Sequence, residues 1–279
     1  MKAKASDWYQ KNWTLDIKQM SWVEHTVEEV DYLISLCRLK GIERILDLVC
    51  GYGRHALEFA KRGYEVVGVN ITELYIEDAK KSAREMGLSR ALFVCSDIRD
   101  VDFCEEFDVV LNLADDAMGY LENEEENDKV FDVISKALKK GGQHVCDLVN
   151  GSYAQAHFPV KLWEAGEHSL SLSEFDWDPD THIMMFGNQD FAYGEPVTKP
   201  EIAEGDPTRV YTLAELADKM EKETWKCLPD IQKRLQAARH SRCWYIVERK
   251  RVQNERGDTK TIWGLGGNAH MVLFAGGHG

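Results

Sequence analysis

Apolar and polar positions change period repeatedly along the chain, and each change predicts an element. In residues 23–39, Val23, Val27, Val30, Leu33, Ile34 and Cys37 recur at helical spacing. That pattern predicts an amphipathic helix, and Gly41 ends it. A short apolar run at 44–49 predicts a strand. Residues 54–62 read as a helix closed by Gly63, 65–69 as a strand, and 73–86 as a helix closed by Gly87. Strands follow at 91–95 and 107–113, a helix at 129–139 ending in Gly141-Gly142, and a strand at 143–149. The acid-rich run 122–128 reads as a solvated loop leading into that last helix. Strands alternating with helices imply βαβ units, right-handed crossovers and a parallel sheet.

The rhythm changes after residue 150. Extended runs at 168–177 and 182–193 flank Asp178-Pro-Asp-Thr181, which has the residues a tight turn requires, so a β-hairpin is expected. Thr212 followed by Glu215 is a capping box that opens a helix to about Lys222. Strand candidates at 243–250 and 270–275 are separated by a polar loop at 254–260. The expected organisation is an N-terminal helical and lid segment (1–40), an α/β core (41–150), a β-hairpin cap insertion (151–208) and completion of the core sheet (209–279). The fold class is α/β, with a doubly wound, mostly parallel seven-stranded sheet and an inserted antiparallel β cap.

Charge narrows the ligand classes. Lys plus Arg number 34 and Asp plus Glu 48, for a net charge of −14. Such a surface repels phosphate backbones and anionic lipid, so no nucleic acid and no membrane partner is expected, and a small molecule is favoured. No run of 18 apolar residues occurs, and no apolar run follows the N-terminal lysines. Seven cysteines without a CxxC pair read as free thiols in a reducing cytoplasm, with no metal site. A homodimer stays open.

The turn after the first core strand reads Gly51-Tyr-Gly53-Arg-His-Ala56, which satisfies the dinucleotide fingerprint GxGxxG/A. Asp47, four residues before Gly51, argues against a pyrophosphate and for a cofactor with a cationic amino or sulfonium group. Asp97, after the strand at 91–95, can accept from an exocyclic adenine amine while Ile98 covers a ring face.

Between residues 43 and 149 the chain resembles the class I S-adenosylmethionine-dependent methyltransferases. The resemblance rests on Leu46-Asp-Leu-Val-Cys-Gly-Tyr-Gly53, Val66-Val-Gly-Val-Asn-Ile71, Cys95-Ser-Asp97, Phe107-Asp-Val-Val-Leu-Asn112 and Leu138-Lys-Lys-Gly-Gly142. The run Gly53 to Gly63 is similar to a subgroup of bacterial small-molecule methyltransferases. The resemblance implies a Rossmann-like sheet with S-adenosyl-L-methionine across the carboxyl ends of its strands. It implies that Gly51 and Gly53 let the backbone approach the methionine portion and that Asn70 meets the ribose hydroxyls, with Asp47, Val49 and Ile71 also among the cofactor-binding residues. Asp97 and Ile98 then meet adenine, and Asn112, Leu113 and Ala114 lie beneath the sulfonium.

Two positions depart from the family. Val49 stands where a small residue is usual, and a β-branched side chain resists positive φ. Asn70 stands where an acid is usual; an amide has one acceptor oxygen, a loss of about 1–2 kcal/mol in binding. Methyl transfer from a sulfonium is a displacement that needs alignment more than a base. The candidate catalytic residues are Asp115 and Tyr120 after the strand at 107–113, and His157, whose pKa near neutrality suits a proton acceptor. Asp116, Asn150 and Tyr153 are candidates for acceptor contact, and Trp13 and Trp22 for a lid. Two other readings stand beside this one: a non-catalytic module that binds S-adenosylmethionine or S-adenosylhomocysteine, and an NAD-dependent oxidoreductase.

Overall fold

A computed structural model describes residues 1–11, 13–20, 23–113 and 117–222, together with the backbone of strands at Arg242–Glu248, Lys250–Gln253 and Thr259–Ile262. The core begins with α1 (Thr26–Leu36), then alternates β2 (Arg44–Leu48), α2 (Arg54–Lys61), β3 (Glu65–Asn70), α3 (Glu73–Glu85) and β4 (Ala91–Cys95). It continues through β5 (Phe107–Asn112), α4 (Glu124–Ala137) and β6 (Leu138–Val149). The strand β1 (Lys2–Ala3) precedes it all. The core sheet runs β11-β6-β5-β2-β3-β4, where β11 is Arg242–Glu248; all neighbours are parallel except β11 against β6. The seventh strand expected at 270–275 lies outside the described residues.

The core strands are continuous apolar runs because both faces are covered. Successive residues point to opposite faces. Ile45, Val66, Val109 and Val145 join Val30 and Leu33 of α1, Phe59 of α2 and Ile76 of α3 in one cluster. Leu46, Val67, Val110 and Cys146 join Val130, Phe131 and Ile134 of α4 in the other. The sheet is therefore wound on both sides, and its order reverses beside β2, which pairs with both β3 and β5. Open sheets of this kind bind ligands at that reversal, outside the carboxyl ends of the strands.

Several expected boundaries move. Residues 124–128 belong to α4 rather than to a solvated loop: Asn123 caps the helix by accepting the Glu126 N–H at 3.0 Å, and Glu124, Glu125 and Glu126 sit where the helix dipole favours anions. The Lys139-Lys-Gly-Gly142 segment is not a separate turn. It lies within β6, where a register shift opposite Phe107 to Val109 takes up the extra residues.

The insertion is larger than a hairpin. After β6 come α5 (Gly151–His157), β7 (Val160–Ala165), β8 (Ser169–Asp178), β9 (Ile183–Ala192), β10 (Glu204–Arg209) and α6 (Leu213–Lys222). β8 and β9 form the expected hairpin, but it is the middle of a five-stranded sheet ordered β1-β10-β9-β8-β7. Phe175, Trp177, Met184 and Phe186 on one face of this cap gather against Val149, Ala154 and Val210, which seats the cap beside the carboxyl end of β6. Of the polar loop expected at 254–260, Thr259 and Lys260 belong to the strand β13 (Thr259–Ile262), which pairs with β12 (Lys250–Gln253), and 254–258 lie outside the described residues.

Candidate functional site

At the sheet reversal lies a cleft of about 660 Å3, open mouth included. Its floor comes from the ends of three adjacent parallel strands: Val49 and Gly51 after β2, Asn70, Ile71 and Thr72 after β3, Asp97 and Ile98 after β4. Its far wall is Ala117, Tyr120 and Leu121 after β5. The fourth side is the N-terminal segment, through Tyr9, Trp13 and Ile17, with Tyr75 of α3.

The loop after β2 is held in a conformation L-residues avoid. Val49, Gly51 and Gly53 have φ of 69°, 54° and 81°. Gly53 has no room for a side chain, since a Cβ there would lie 2.7 Å from the Phe93 ring. Val49 keeps its isopropyl group in left-handed geometry, at a cost of about 1–2 kcal/mol.

Asp47, at the end of β2, is 2% exposed, and its Oδ2 has no hydrogen-bond partner. Burial pushes its pKa up to about 7, against the pull of the Arg54 charge and the Ala56 N–H. A buried carboxylate oxygen lacking a donor beside this loop suits a cationic ligand and repels a phosphate. Arg54, at the start of α2, is itself engaged by Glu29 and by Thr26 Oγ1 at 2.9 Å. Glu29 also meets His55 Nε2 at 2.9 Å, so His55 is built into the helix packing.

Asn70 is 5% exposed, and its Oδ1 accepts the Thr72 N–H at 2.8 Å. The acceptor oxygen is thereby committed to the turn into α3, and the amide presents donors. Asp97 caps the short helix Ile98–Asp100, with Oδ1 accepting the Arg99 N–H at 2.8 Å. Burial raises its pKa, but Arg99 more than offsets this and holds it below the usual carboxylate range.

The strap formed by the N-terminal segment is aromatic and tied down. Trp13 Nε1 donates to Tyr9 O at 2.6 Å, Tyr9 OH donates to Glu122 Oε1 at 2.7 Å, and Tyr75 OH donates to Thr14 O at 3.1 Å. Trp8 lies between Trp13 and Tyr120, with ring centroids 5.9 and 4.8 Å away.

The cleft thus brings together Val49, Gly51, Asn70, Ile71, Asp97, Ile98, Trp13 and Tyr120 among the residues expected from sequence. Others stand elsewhere: Asp47 and Gly53 do not line the cleft. Asn112 is fully buried; its Nδ2 donates to Leu48 O at 3.1 Å and its Oδ1 meets His144 Nε2 at 3.1 Å, so its polar atoms fasten β5 to its neighbours instead of facing a ligand. Leu113 is core, 3% exposed. Asn150 caps α5, accepting the Ser152 and Tyr153 N–H groups at 3.0 and 3.2 Å. His157 is exposed at the end of α5, with Nδ1 2.9 Å from Tyr153 O and its ring stacked on Tyr153. That pair does not line the cleft, which removes His157 from the position of proton acceptor there. Ala114, Asp115, Asp116 and Trp22 lie outside the described residues. Sequence reasoning did not single out Tyr9, Ile17, Thr72, Tyr75, Ala117 and Leu121 as lining residues. Tyr9 and Ile17 lie in the N-terminal segment and the others after predicted strands or in a helix, so no single sequence signal marks them.

Comparison with known proteins agrees with this geometry. Residues 45–142 match a family described as "Methyltransferase domain". The chain is 32% identical over 135 residues to a putative methyltransferase of Geobacillus sp. strain WCH70, covering 47% of this chain and 53% of that protein. It is 31% identical over 144 residues to the ubiquinone biosynthesis O-methyltransferase of Nitrobacter winogradskyi, covering 52% of each. Shorter matches reach 23S rRNA (uracil(1939)-C(5))-methyltransferases, such as that of Shewanella halifaxensis, 41% identical over 59 residues (21% of this chain, 13% of that protein). The chain spans about half the length of the longer-matching relatives. Among solved structures, the CcbJ methyltransferase of Streptomyces caelestis superposes with a TM-score of 0.58 at 19% identity, over 78% of this chain and 84% of that one, which shows a shared fold.

Proposed function

We propose that residues 45–142, which match a methyltransferase domain, bind S-adenosylmethionine, and that the protein transfers a methyl group from it to a small molecule. The observation that carries the proposal is the buried, unpartnered Asp47 Oδ2 beside a left-handed glycine loop, at the carboxyl end of the strand where the sheet reverses. Asp47 does not itself line the cleft, so its negative charge acts from beneath the loop, where it favours a cationic group in the cleft and disfavours the pyrophosphate of a nicotinamide dinucleotide.

The residues fit the cofactor piece by piece. The backbone at Val49 and Gly51 would border the methionine portion, Asn70 the ribose, and Ile71 and Ile98 the faces of the base, with Asp97 at its amine edge. When bound, the cofactor supplies an activated methyl group on sulfur. The chain's own task is to align an acceptor and to exclude water. Tyr120, Trp13 and Tyr9 form an apolar wall with polar tips that serves both ends.

A small acceptor is supported by the net charge of −14, which disfavours a nucleic-acid substrate. The relatives point both ways, since they include an O-methyltransferase of ubiquinone biosynthesis and rRNA methyltransferases. Titration calorimetry with S-adenosylhomocysteine, followed by a screen of amines, thiols, phenols and short RNA read by S-adenosylhomocysteine release, tests the proposal. Binding with turnover only on RNA would overturn the small-molecule reading. A second reading, a non-catalytic cofactor-binding module, is favoured by Val49 and Asn70; binding without turnover on any acceptor would select it.

A further inference from the structure

Arg99 follows the cleft residues Asp97 and Ile98, and no part of the function above uses it. Its side chain is 18% exposed, and the guanidinium is surrounded by acceptors. Nε donates to Asp97 Oδ1 at 3.0 Å, and Nη2 donates to Asp97 Oδ2 at 2.6 Å and to Tyr9 OH at 3.2 Å. Nη1 donates to Glu122 Oε2 at 3.1 Å and to Glu126 Oε2 at 2.7 Å. A guanidinium has five N–H donors, and each has an acceptor here. A lysine cannot reproduce that fork.

Two of those acceptors line the cleft from opposite sides. Asp97 belongs to the strand-end floor, and Tyr9 belongs to the N-terminal strap. The carboxylate of Asp97 offers about four lone-pair positions. The Arg99 N–H and Nε take two on Oδ1, and Nη2 takes one on Oδ2, so one position on Oδ2 stays available. The fork fixes the plane of the carboxylate and so fixes where that remaining lone pair points. Tyr9 OH accepts from Arg99 while donating to Glu122, which Arg99 also holds. The strap is therefore latched to the same guanidinium that sets Asp97.

We propose that Arg99 is a positioning residue that couples closure of the N-terminal strap to recognition of the nucleobase, by orienting the Asp97 carboxylate toward an exocyclic base amine and holding Tyr9 over the cleft. This rests on the cofactor assignment above. Cofactor release must then break the Tyr9 latch, and loosening the latch frees Asp97 to rotate, so base selectivity and residence time change together.

The test uses the full chain and two probes, S-adenosylhomocysteine and S-inosylhomocysteine, in which a 6-oxo group replaces the 6-amino group. A carbonyl facing a fixed carboxylate loses a hydrogen bond and adds repulsion, so the wild type prefers the adenine compound by about tenfold or more. Arg99→Lys keeps the charge and removes the fork. It lowers that preference to about threefold or less and speeds release of S-adenosylhomocysteine. A purely structural role would weaken both probes equally and leave the ratio intact; an unchanged ratio in folded Arg99→Lys overturns the proposal. Should Arg99→Lys fail to fold, Tyr9→Phe decides: faster release together with a smaller ratio supports the coupling, and a ratio and release rate equal to wild type overturn it. If the wild type binds neither probe, it is the cofactor assignment that fails.

Discussion

Asn70→Asp changes one atom at the cofactor edge, and the structure gives the size of its effect. The Asn70 oxygen already accepts the Thr72 N–H at 2.8 Å, and the residue is 5% exposed. An aspartate keeps that turn bond through one oxygen and presents the second to the ribose in place of a donor amide. A charge-assisted bond to a hydroxyl contributes about 1.5–3 kcal/mol. Part of that is lost to the cost of placing a carboxylate in a nearly buried position. The expected net gain is about 1–2 kcal/mol, roughly five- to thirtyfold in affinity for S-adenosylhomocysteine. Calorimetry on the two proteins measures it, with a ligand lacking the 2′-hydroxyl as the control that loses the gain. Equal affinities of wild type and variant would refute the placement of Asn70 at the ribose.

Three further outcomes follow from buried groups at or near the cleft. Val49→Gly relieves left-handed strain of about 1–2 kcal/mol, against about 0.5–1 kcal/mol of added chain entropy and the loss of a half-buried side chain. Denaturant titration should therefore show stability within about 1 kcal/mol of wild type; a loss above about 2 kcal/mol, ordinary for Val→Gly in extended backbone, would contradict the left-handed assignment. Asp47, with its pKa raised by burial to about 7 from an ordinary 3.8, stabilises the ligand-free protein when protonated, and that contribution is lost as pH rises through 7. Asp47→Asn should flatten the decline in thermal midpoint between pH 5 and pH 8, and should also abolish the gain in S-adenosylmethionine affinity that the wild type shows as pH rises toward 7. If the variant keeps either pH dependence, another group carries it. His144 has the opposite sign: burial holds its pKa down to about 3 against an ordinary 6.5, so the stability it contributes is complete above 6.5 and is lost as pH falls toward 3. His144→Gln should reduce the acid-side slope of thermal midpoint against pH, and an unaltered slope would mean that the imidazole is not buried neutral.

The α/β core was legible because burial on both sides of a parallel sheet leaves continuous apolar runs separated by helical periodicity, as between Ile45 and Cys95. The cap was legible only in its hairpin. β10 is Glu-Gly-Asp-Pro-Thr-Arg, a turn composition by propensity, and it becomes a strand through pairing with β9 and β1. The strap escaped because short 3-10 turns carry no period, and its anchors Tyr9 and Trp13 acquire meaning only from partners far along the chain. Asn112 misled for a related reason. A polar residue at a strand end looks available to a ligand, but here it satisfies Leu48 O and His144 in the core. With its amide nitrogen donating to Leu48, its oxygen must accept, so His144 Nε2 carries the proton and the bare Nδ1 is the atom left without a partner.

Val49 and Asn70, the two departures from the family pattern, both face the cleft, and they bear on whether the site is retained or eroding. A loop that only connected β2 to α2 would gain by relaxing its strained residues. This one keeps three left-handed residues within five positions, one of them β-branched, and leaves a carboxylate oxygen buried without a donor beside them. Each of those features costs free energy in the ligand-free chain. Asp47 regains its share only when a donor arrives, and the loop when its N–H groups meet a ligand. Local strain together with an unsatisfied buried acceptor is the signature of a site shaped by what it binds. On the proposed assignment the Asn70 amide would tune the strength of cofactor binding, which is why the single-atom change to aspartate is expected to tighten the complex rather than to restore one.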